Sequence, residues 1–449
     1  MKKLTALFFI LFACNAGLQA QTVHNATSQF SAAELQDDFT KLRAKLEHSH
    51  ANLYLYTNKA TLDHFFDSLY AAITQPMTSL EFYSLIAPLS SVIKNGHSYV
   101  LPSEDDRNYY NKHALFMPLH ITWLNNKMYA DMNCSTDTTV KAGSEILSIN
   151  GIQANNVMQQ LLTRQVRDGN NTTYPIWILN NYFREYYSYI FGHPEQFIIQ
   201  YKGYDNTVND IALHALPKDS INFYARQKYT ARLPKATDKG IALTFNADST
   251  TATLAIKTFD NNELKERYHQ NFKPVLTNCF QLINKHAASN LILDLRNNQG
   301  GDPENGILLL SCLLSQPFEM IHQGPVSTGT FKPASNNYRG RLYVLVNGGS
   351  FSNTGMVSAC LVANNRGIFV GEETGGNQYI LTGDPETFIL PHTKIQYEVS
   401  TTTYLLKQQP VYTGHGVMPA YTVSPTIDDI VNNQDTMLQF VFNLISRAK

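Results

Sequence analysis

Three short apolar segments, each followed by a glycine-rich stretch, constrain the fold of this 449-residue chain. They read NLILDL before RNNQGGD, RLYVLV before NGGSFSN, and RGIFV before GEETGG. Wholly apolar runs of this length are typical of strands buried on both faces in a parallel sheet. Helical periodicity lies between them, so the chain from roughly residue 240 onward is predicted to be α/β. In such a sheet, ligands bind outside the carboxyl ends of the strands.

Ser352 comes directly after the second of these strands, at the start of a predicted helix. Serine is favoured at helix starts because its oxygen accepts a free backbone N–H, so the residue type alone also fits a simple cap. An acyl-transfer site would need a base and N–H donors for the oxyanion as well. The backbone amides of Gly300, Gly301 and Asn353 are candidate donors, since the two glycines have no side chains to block a substrate carbonyl.

His97 is the candidate general base among the 14 histidines. It lies in the short polar loop NGHSY, directly after a predicted helix. Gly96 is expected to end that helix in a left-handed conformation. The sequence alone does not bring His97 next to Ser352, which lies about 250 residues further along the chain.

The chain before residue 240 is predicted to contain two other regions. Residues 31 to about 95 have helical periodicity, with capping-box patterns at Ser31 and Thr78 and a break expected at Pro88. Residues from about 113 to 215 alternate as strands and predict a compact α+β module. An unusually aromatic helix, WILNNYFREYYSYIF, is inserted there, and we expect it to pack on the module.

Composition and the first residues bear on location and partners. The net charge of −1 gives no electrostatic basis for binding nucleic acid or an anionic membrane. Residues 1–20 have a basic start, an apolar run and LQA before Gln21, which predicts a cleaved export signal and no transmembrane span. The expected location is periplasmic or secreted, and anchoring as a lipoprotein through Cys14 is the alternative. The remaining cysteines are widely spaced and predict neither a metal site nor a disulfide framework.

The three glycine-rich motifs, followed in order by GHGVMPAYTV, resemble those of the tail-specific (C-terminal-processing) and tricorn-type serine peptidases. The NGHSY loop is similar to that of the exported bacterial branch with a helical N-terminal segment. The resemblance implies an α/β fold, α+β overall, with a PDZ-like module and a ClpP/crotonase-like peptidase core. The implied organisation is a signal peptide at 1–20, a helical domain at 21–110, a PDZ-like domain at 111–220 and the α/β core at 221–449.

Carried over to this sequence, the resemblance implies that Ser352 is the nucleophile. The processing branch has a lysine base where this chain has Asn377. Asparagine cannot accept the proton, so a Ser–Lys dyad at this position is excluded. The tricorn-like branch uses an N-terminal histidine instead, which corresponds to His97.

The same comparison leaves the group that orients His97 open. Thr413 stands near the position of the family's glutamate, and Ala420 replaces its aspartate. Ser98 and Glu372 are candidate orienting groups, and Glu373 and Glu398 are further alternatives.

The sequence therefore predicts a secreted serine peptidase that acts on peptides or unfolded proteins without a metal or organic cofactor. The PDZ-like module would hold an extended peptide by strand addition. Two alternatives stay open: a non-catalytic protein that binds peptides or hydrophobic ligands on the same scaffold, and a hydrolase of non-peptide esters or amides. The sequence leaves the oligomeric state and the cleaved sequence undetermined.

Overall fold

The N-terminal part of the chain is helical, as predicted. The computed structural model describes residues 26–235, 237–406 and 414–447, so the predicted signal peptide, Cys14 and Thr413 lie outside the described residues. Both predicted capping boxes are confirmed, at Ser31 and at Thr78. The elements are β1 (Gln29–Phe30), α1 (Ala32–Ser49), α2 (Lys59–Ala71), β2 (Met77–Thr78), α3 (Ser79–Ile86), α4 (Pro88–Ile93), β3 (Tyr99–Leu101) and α5 (Glu104–His113).

The loop that carries His97 differs in one detail from the prediction. Pro88 begins α4 after α3 has ended, which confirms the expected break. The left-handed residue after α4 is Lys94, with φ 59°, and the prediction that Gly96 has this role was wrong. A glycine is needed at position 96 for space instead, because an added Cβ would lie 2.6 Å from the ring of Phe351.

The second region is an antiparallel sheet with helices on it. Five strands follow the order β10-β9-β7-β6-β5, and β8 pairs with β7. The aromatic insertion forms one helix, α7, which buries Leu179, Phe183 and Tyr187 in the module's core. The elements are β4 (Leu115–Phe116), β5 (Leu119–Leu124), β6 (Lys127–Asn133), β7 (Ser144–Ile149), β8 (Ile152–Gln153), α6 (Ala154–Leu162), α7 (Thr173–Phe191), β9 (Gln196–Lys202), β10 (Val208–His214), β11 (Leu216–Pro217), α8 (Lys218–Lys228) and a 3₁₀ turn (Thr230–Arg232).

The third region is the predicted α/β core. Its six strands follow the order β12-β13-β14-β15-β16-β19, and every neighbouring pair except β12–β13 is parallel. The three apolar segments are β14, β15 and β16, and the sheet places the loops after them side by side. The elements are β12 (Ile241–Phe245), β13 (Thr251–Ile256), α9 (Asn261–Tyr268), α10 (Phe272–Lys285), β14 (Asn290–Asp294), α11 (Pro303–Leu313), β15 (Arg341–Val346), α12 (Asn353–Ala363), β16 (Ile368–Gly371), β17 (Ile380–Ile389), β18 (Gln396–Leu405), β19 (Tyr421–Thr422), α13 (Ile427–Val431) and α14 (Thr436–Arg447).

A hairpin of the α/β core also packs against the N-terminal helices. Strands β17 and β18 form a three-stranded sheet with β3, which follows the His97 loop. Leu390, Ile395, Tyr397 and Val399 of this hairpin pack in one hydrophobic cluster with α1–α4. The predicted domain boundary at residue 110 therefore separates, in sequence, residues that pack together in one hydrophobic cluster.

Two further properties concern the described part of the chain. None of its helices combines the length and apolar character needed to cross a membrane. Cys134, Cys279, Cys312 and Cys360 are free thiols, three of them buried.

Asp38 joins α1 to the turn between β17 and β18. Its buried carboxylate accepts hydrogen bonds from the amides of His392 and Thr393, both at 2.9 Å, and from the Thr393 hydroxyl. We expect Asp38→Ala to lower the free energy of unfolding by at least about 2 kcal/mol, because each buried donor left unpaired costs about 1–3 kcal/mol. Urea unfolding measures the loss.

Asp37→Ala is the matched control for this substitution. Asp37 is the neighbouring residue on α1, but its ion pairs with Lys41 and His392 are largely exposed. Exposed pairs contribute about 1 kcal/mol or less, so the control variant is expected to stay close to the wild type. Equal losses in the two variants would contradict the role given to Asp38.

Candidate active site

Ser352 lies in a strained turn between β15 and α12. Its backbone angles are φ 54° and ψ −125°, a region that a residue with a Cβ rarely adopts and that costs about 1–3 kcal/mol. The turn directs the Ser352 hydroxyl toward His97 instead of the free amides of α12. Ser352 therefore does not act as a side-chain cap of α12.

His97 Nε2 lies 3.1 Å from Ser352 Oγ, although 255 residues separate the two in sequence. This is hydrogen-bond distance, which is the first requirement for a nucleophile and its base. Both residues are partly exposed, so the pair is accessible from the surface. The predicted meeting of Ser352 and His97 is thus present in the geometry.

The His97 loop is fixed by buried polar residues on β17 and β18. Asn95 Oδ1 accepts the His97 amide at 3.0 Å and the Ser400 hydroxyl at 3.0 Å. Asn95 Nδ2 donates to the hydroxyl of Thr382. The His97 imidazole hydrogen-bonds to the Thr382 backbone as well. With Nε2 facing Ser352, the other ring nitrogen is the donor in that bond, which leaves the Nε2 lone pair free to accept a proton.

Burial of the imidazole lowers the pKa of His97 to about 4. The negative charge of Asp384 on β17 and the bond to Thr382 act in the opposite direction, but they are smaller effects. His97 is therefore neutral at neutral pH, the state in which it can act as a base.

The candidate oxyanion donors do not all have free N–H groups. The Gly300 amide donates to Asn298 Oδ1 at 2.9 Å, so the expectation that it faces a substrate is not met. The Gly300 carbonyl accepts the Phe259 amide at 2.8 Å. Because C=O and N–H point in opposite directions across a trans peptide, the Gly301 N–H points away from Phe259. Within the described chain, the amides of Gly301 and Asn353 have no acceptor.

Close packing explains the glycine at position 300. An added Cβ there would lie 2.7 Å from Ser352 Cβ and 2.8 Å from the Asn353 nitrogen. The fully buried Asn298 holds this loop in place, since its side chain also donates to the Ile256 carbonyl at 2.9 Å and its own carbonyl accepts the Phe351 amide. Asn298 was missed in the sequence, where nothing distinguishes it from its neighbour Asn297.

The predicted orienting groups do not contact the His97 ring. The Glu372 carboxylate accepts from the Ser424 hydroxyl at 3.3 Å and from the Gly348 backbone, in a different loop environment. Ser98 Oγ lies 3.1 Å from Ser400 Oγ, and so connects to His97 only through Ser400 and Asn95. Thr413 lies outside the described residues.

Asn377, at the position of the family's lysine, has a structural role beside the site. Its side chain donates to the Tyr56 hydroxyl at 2.6 Å and accepts the Tyr379 amide at 2.8 Å. Its amide donates to the buried carboxylate of Asp168 at 2.8 Å. Asp168 also accepts from the Gly96 backbone, and burial raises the pKa of its carboxyl to about 7. Asp168 could not be found in the sequence, because its partners come from distant segments.

An open cleft lies along the carboxyl edge of the sheet, beside these loops. A cavity of about 930 Å³ is lined by Trp177, Tyr268 and Asn297 among others. A second cavity of about 480 Å³ shares Gln299 with it and reaches Gly300 and Gly301. Together they have the volume of a site for a ligand of several residues.

One cluster in the described chain groups three potential metal ligands, Asp37, Asp38 and His392. Asp38 already accepts three hydrogen bonds from the β17–β18 turn, and the cluster belongs to the α1 contact described above. It is therefore explained as a structural contact.

Part of the chain matches a known protein family. Residues 250–423, which contain the glycine-rich loops and Ser352, match the model of peptidase family S41. These residues form an S41 peptidase domain. The match over these residues supports a serine-type peptidase. No curated protein sequence matches the chain.

Solved structures extend the likeness beyond these residues to the fold of most of the chain. Mature CPAF complexed with lactacystin superposes with a TM-score of 0.66 at 14% identity, covering 92% of this chain and 97% of CPAF. A putative peptidase from Parabacteroides merdae ATCC 43184 gives a TM-score of 0.51 at 14% identity, covering 92% of this chain and 96% of its own. At these identities the likeness concerns the fold, and it confirms the predicted fold class.

Gly300→Ala is expected to inactivate the S41 domain without unfolding it. The new methyl group would enter the space next to Ser352 and Asn353, so we expect turnover of a peptide substrate to fall by about a hundredfold or more. Steady-state kinetics of the purified variant measure the loss.

Gly329→Ala is the control for the backbone cost of this change. Gly329 has φ +101°, against +99° at Gly300, but an added Cβ there meets nothing within 4 Å. Both alanines strain the backbone similarly, and only one of them enters the site. Equal turnover in the two variants would contradict the close approach of Gly300 to Ser352.

Proposed function

We propose that this protein hydrolyses peptide bonds with Ser352 as nucleophile and His97 as general base, on peptides or unfolded proteins outside the cytoplasm. The observation that carries the proposal is the 3.1 Å contact between His97 Nε2 and Ser352 Oγ, since Ser352 lies within the residues that match peptidase family S41. The exported location rests on the signal-like sequence of residues 1–20.

The first step is attack of Ser352 Oγ on the substrate carbonyl carbon. His97 Nε2 accepts the hydroxyl proton as the new C–O bond forms. When the tetrahedral intermediate collapses, the protonated His97 gives that proton to the leaving amine, and the C–N bond breaks. Water then enters, loses a proton to His97, and releases the acid from Ser352 by the same route.

The oxyanion is held by the amides of Gly301 and Asn353. Each has its N–H free of acceptors in the described chain, which supports this role. Asn353 is also the first residue of α12, where the partial positive charge of the helix favours a developing negative charge. The Gly300 amide stabilises the loop through Asn298 and takes no part.

An extended peptide suits the open cleft. The two connected cavities run from Gly301 along the carboxyl ends of β13 and β14. Strand β10 is the edge of the antiparallel module and is largely exposed, so a peptide can add to it as a further strand, as expected for a PDZ-like module.

A serine-directed phosphonate tests the nucleophile. We expect it to label the protein at Ser352, and both labelling and hydrolysis of an unstructured peptide to disappear in Ser352→Ala. His97→Ala should lower turnover by at least about a hundredfold, since the base contributes about 10²–10⁴. Mass spectrometry locates the label.

The same experiment separates hydrolysis from binding. Tight retention of a peptide with no turnover in the wild-type protein would favour the non-catalytic alternative. Labelling that persists in Ser352→Ala would exclude Ser352 as the nucleophile.

The pH dependence of kcat/KM tests the state of His97. Only the neutral ring accepts a proton, and its pKa is lowered to about 4. Activity is therefore expected to persist through mildly acidic pH and to fall as the pH drops through about 4. The ordinary histidine pKa is about 6.5, so the unfolded chain takes up this proton first, and stability also falls from about 6.5 to 4.

Two controls accompany the profile. Circular dichroism at each pH separates loss of activity from unfolding. Asp168→Asn removes the other nearby group that titrates in this range, with a pKa of about 7. An inflection between pH 6 and 7 that remains in Asp168→Asn would contradict the lowered pKa of His97.

A further inference from the structure

Three aromatic rings form a stack that ends on the His97 imidazole. The His97 and Phe351 ring centroids are 4.6 Å apart at 31°, and those of Phe351 and Tyr174 are 4.2 Å apart at 11°. The second pair is stacked, and the first is tilted but lies within the same contact distance. Phe351 is 4% exposed and Tyr174 7%, so little water reaches these two rings.

Phe351 has little room to move within this stack. The absent Cβ of Gly96 would lie 2.6 Å from its ring on the side of the His97 loop. The ring of Tyr174 covers its opposite face. Phe351 therefore transmits the position of Tyr174 to the imidazole.

Tyr174 is itself fixed, because the start of α7 is attached to the loop after β16. Its amide donates to Asn171 Oδ1 at 2.8 Å, and Asn171 Nδ2 donates to the Thr374 carbonyl at 3.0 Å. The Thr173 hydroxyl donates to the Glu373 carbonyl at 2.9 Å. The aromatic helix thus begins against the core and not only on its own module.

Packing supports an imidazole that no charged group holds in place. In the described chain no carboxylate contacts the ring, and its two nitrogens meet Ser352 and the Thr382 backbone. The soft motion of a histidine ring is rotation about its Cβ–Cγ bond, which moves both nitrogens away from such partners. A ring packed against one face of the imidazole opposes that rotation.

We propose that Tyr174 is a positioning residue for His97: it holds Phe351 against one face of the imidazole and so restricts the rotation that would take Nε2 away from Ser352 Oγ. The proposal rests on the functions proposed above for Ser352 and His97. Tyr174 acts through its ring and not through its hydroxyl, so phenylalanine should replace it and an aliphatic residue should not.

The stack has a second effect that can be measured without turnover. Phe351 and Tyr174 keep water from one face of His97, and burial is the main cause of the lowered pKa of this ring. Loosening the stack should therefore raise the pKa of His97 toward its ordinary value. Charged groups also surround the loop: Asp384 on β17 acts on the pKa of His97, Lys94 lies in the loop itself, and Asp168 lies beside Gly96 and within electrostatic range of Tyr174. The titration is therefore also recorded in the Asp168→Asn background.

Tyr174→Leu and Tyr174→Phe test the proposal. We expect Tyr174→Leu to lower kcat by about tenfold or more with KM within about twofold, because misplacing a reacting group affects the chemical step. The His97 titration, followed by NMR and assigned through the signal absent from His97→Gln, should move upward. Tyr174→Phe should match the wild type in both measurements. If Tyr174→Leu folds poorly, Phe351→Leu takes its place and should show the same changes in kcat and in the His97 titration.

Phe183→Leu is the control for loss of an aromatic ring from the same helix. Phe183 is 4% exposed in the core of the module and does not touch Phe351. It should lower the melting temperature as much as Tyr174→Leu and leave kcat and the His97 titration unchanged. The proposal would be overturned if Phe183→Leu changed both kcat and the His97 titration, or if Tyr174→Leu changed neither of them. If the wild type shows no turnover but the titration moves only in Tyr174→Leu, the positioning role stands and the proposed peptidase function fails.

Discussion

The strained backbone at Ser352 is the constraint on which the site depends. With φ 54°, the chain turns from β15 into α12 without letting the Ser352 hydroxyl reach the helix amides. Holding that turn requires contacts from each side, and the structure supplies them: Asn298 binds the Phe351 amide, Ser350 Oγ donates to the Leu295 carbonyl at 2.9 Å, and Gly300 leaves room for the serine. The parallel sheet makes this possible because it ends β14 and β15 at the same edge.

His97 is held differently, by segments that are remote in sequence. Its loop follows α4, Asn95 of that loop and the ring itself contact residues of β17 and β18, and Phe351, which packs on the ring, directly precedes Ser352. His97 and Ser352 are consequently linked twice, through a hydrogen bond and through Phe351. A displacement of either loop would disturb both contacts at once.

The sequence predicted the parts of this site whose signal is local. Ser352, His97 and the glycine loops could be found because a buried strand followed by glycine is distinctive, and the order of the motifs resembles a known family. Asn95, Asn298, Asp168 and Tyr174 could not be found, since their roles arise only when segments 42 to 305 residues apart meet. Gly96 shows the same limit: a glycine after a helix suggests a left-handed turn, whereas the ring of Phe351 is what excludes a side chain there.

The aromatic helix α7 shows how a module beside the core becomes part of the site. One of its faces is buried in the module with Leu179, Phe183 and Tyr187, and its first turn places Tyr174 on Phe351. Trp177 Nε1 also donates to Asn297 Oδ1 at 2.7 Å, in the loop that carries Gly300 and Gly301. The helix is therefore attached to both loops that flank Ser352. Because closely packed interiors transmit displacement, moving the module would move the Ser352 and His97 loops together.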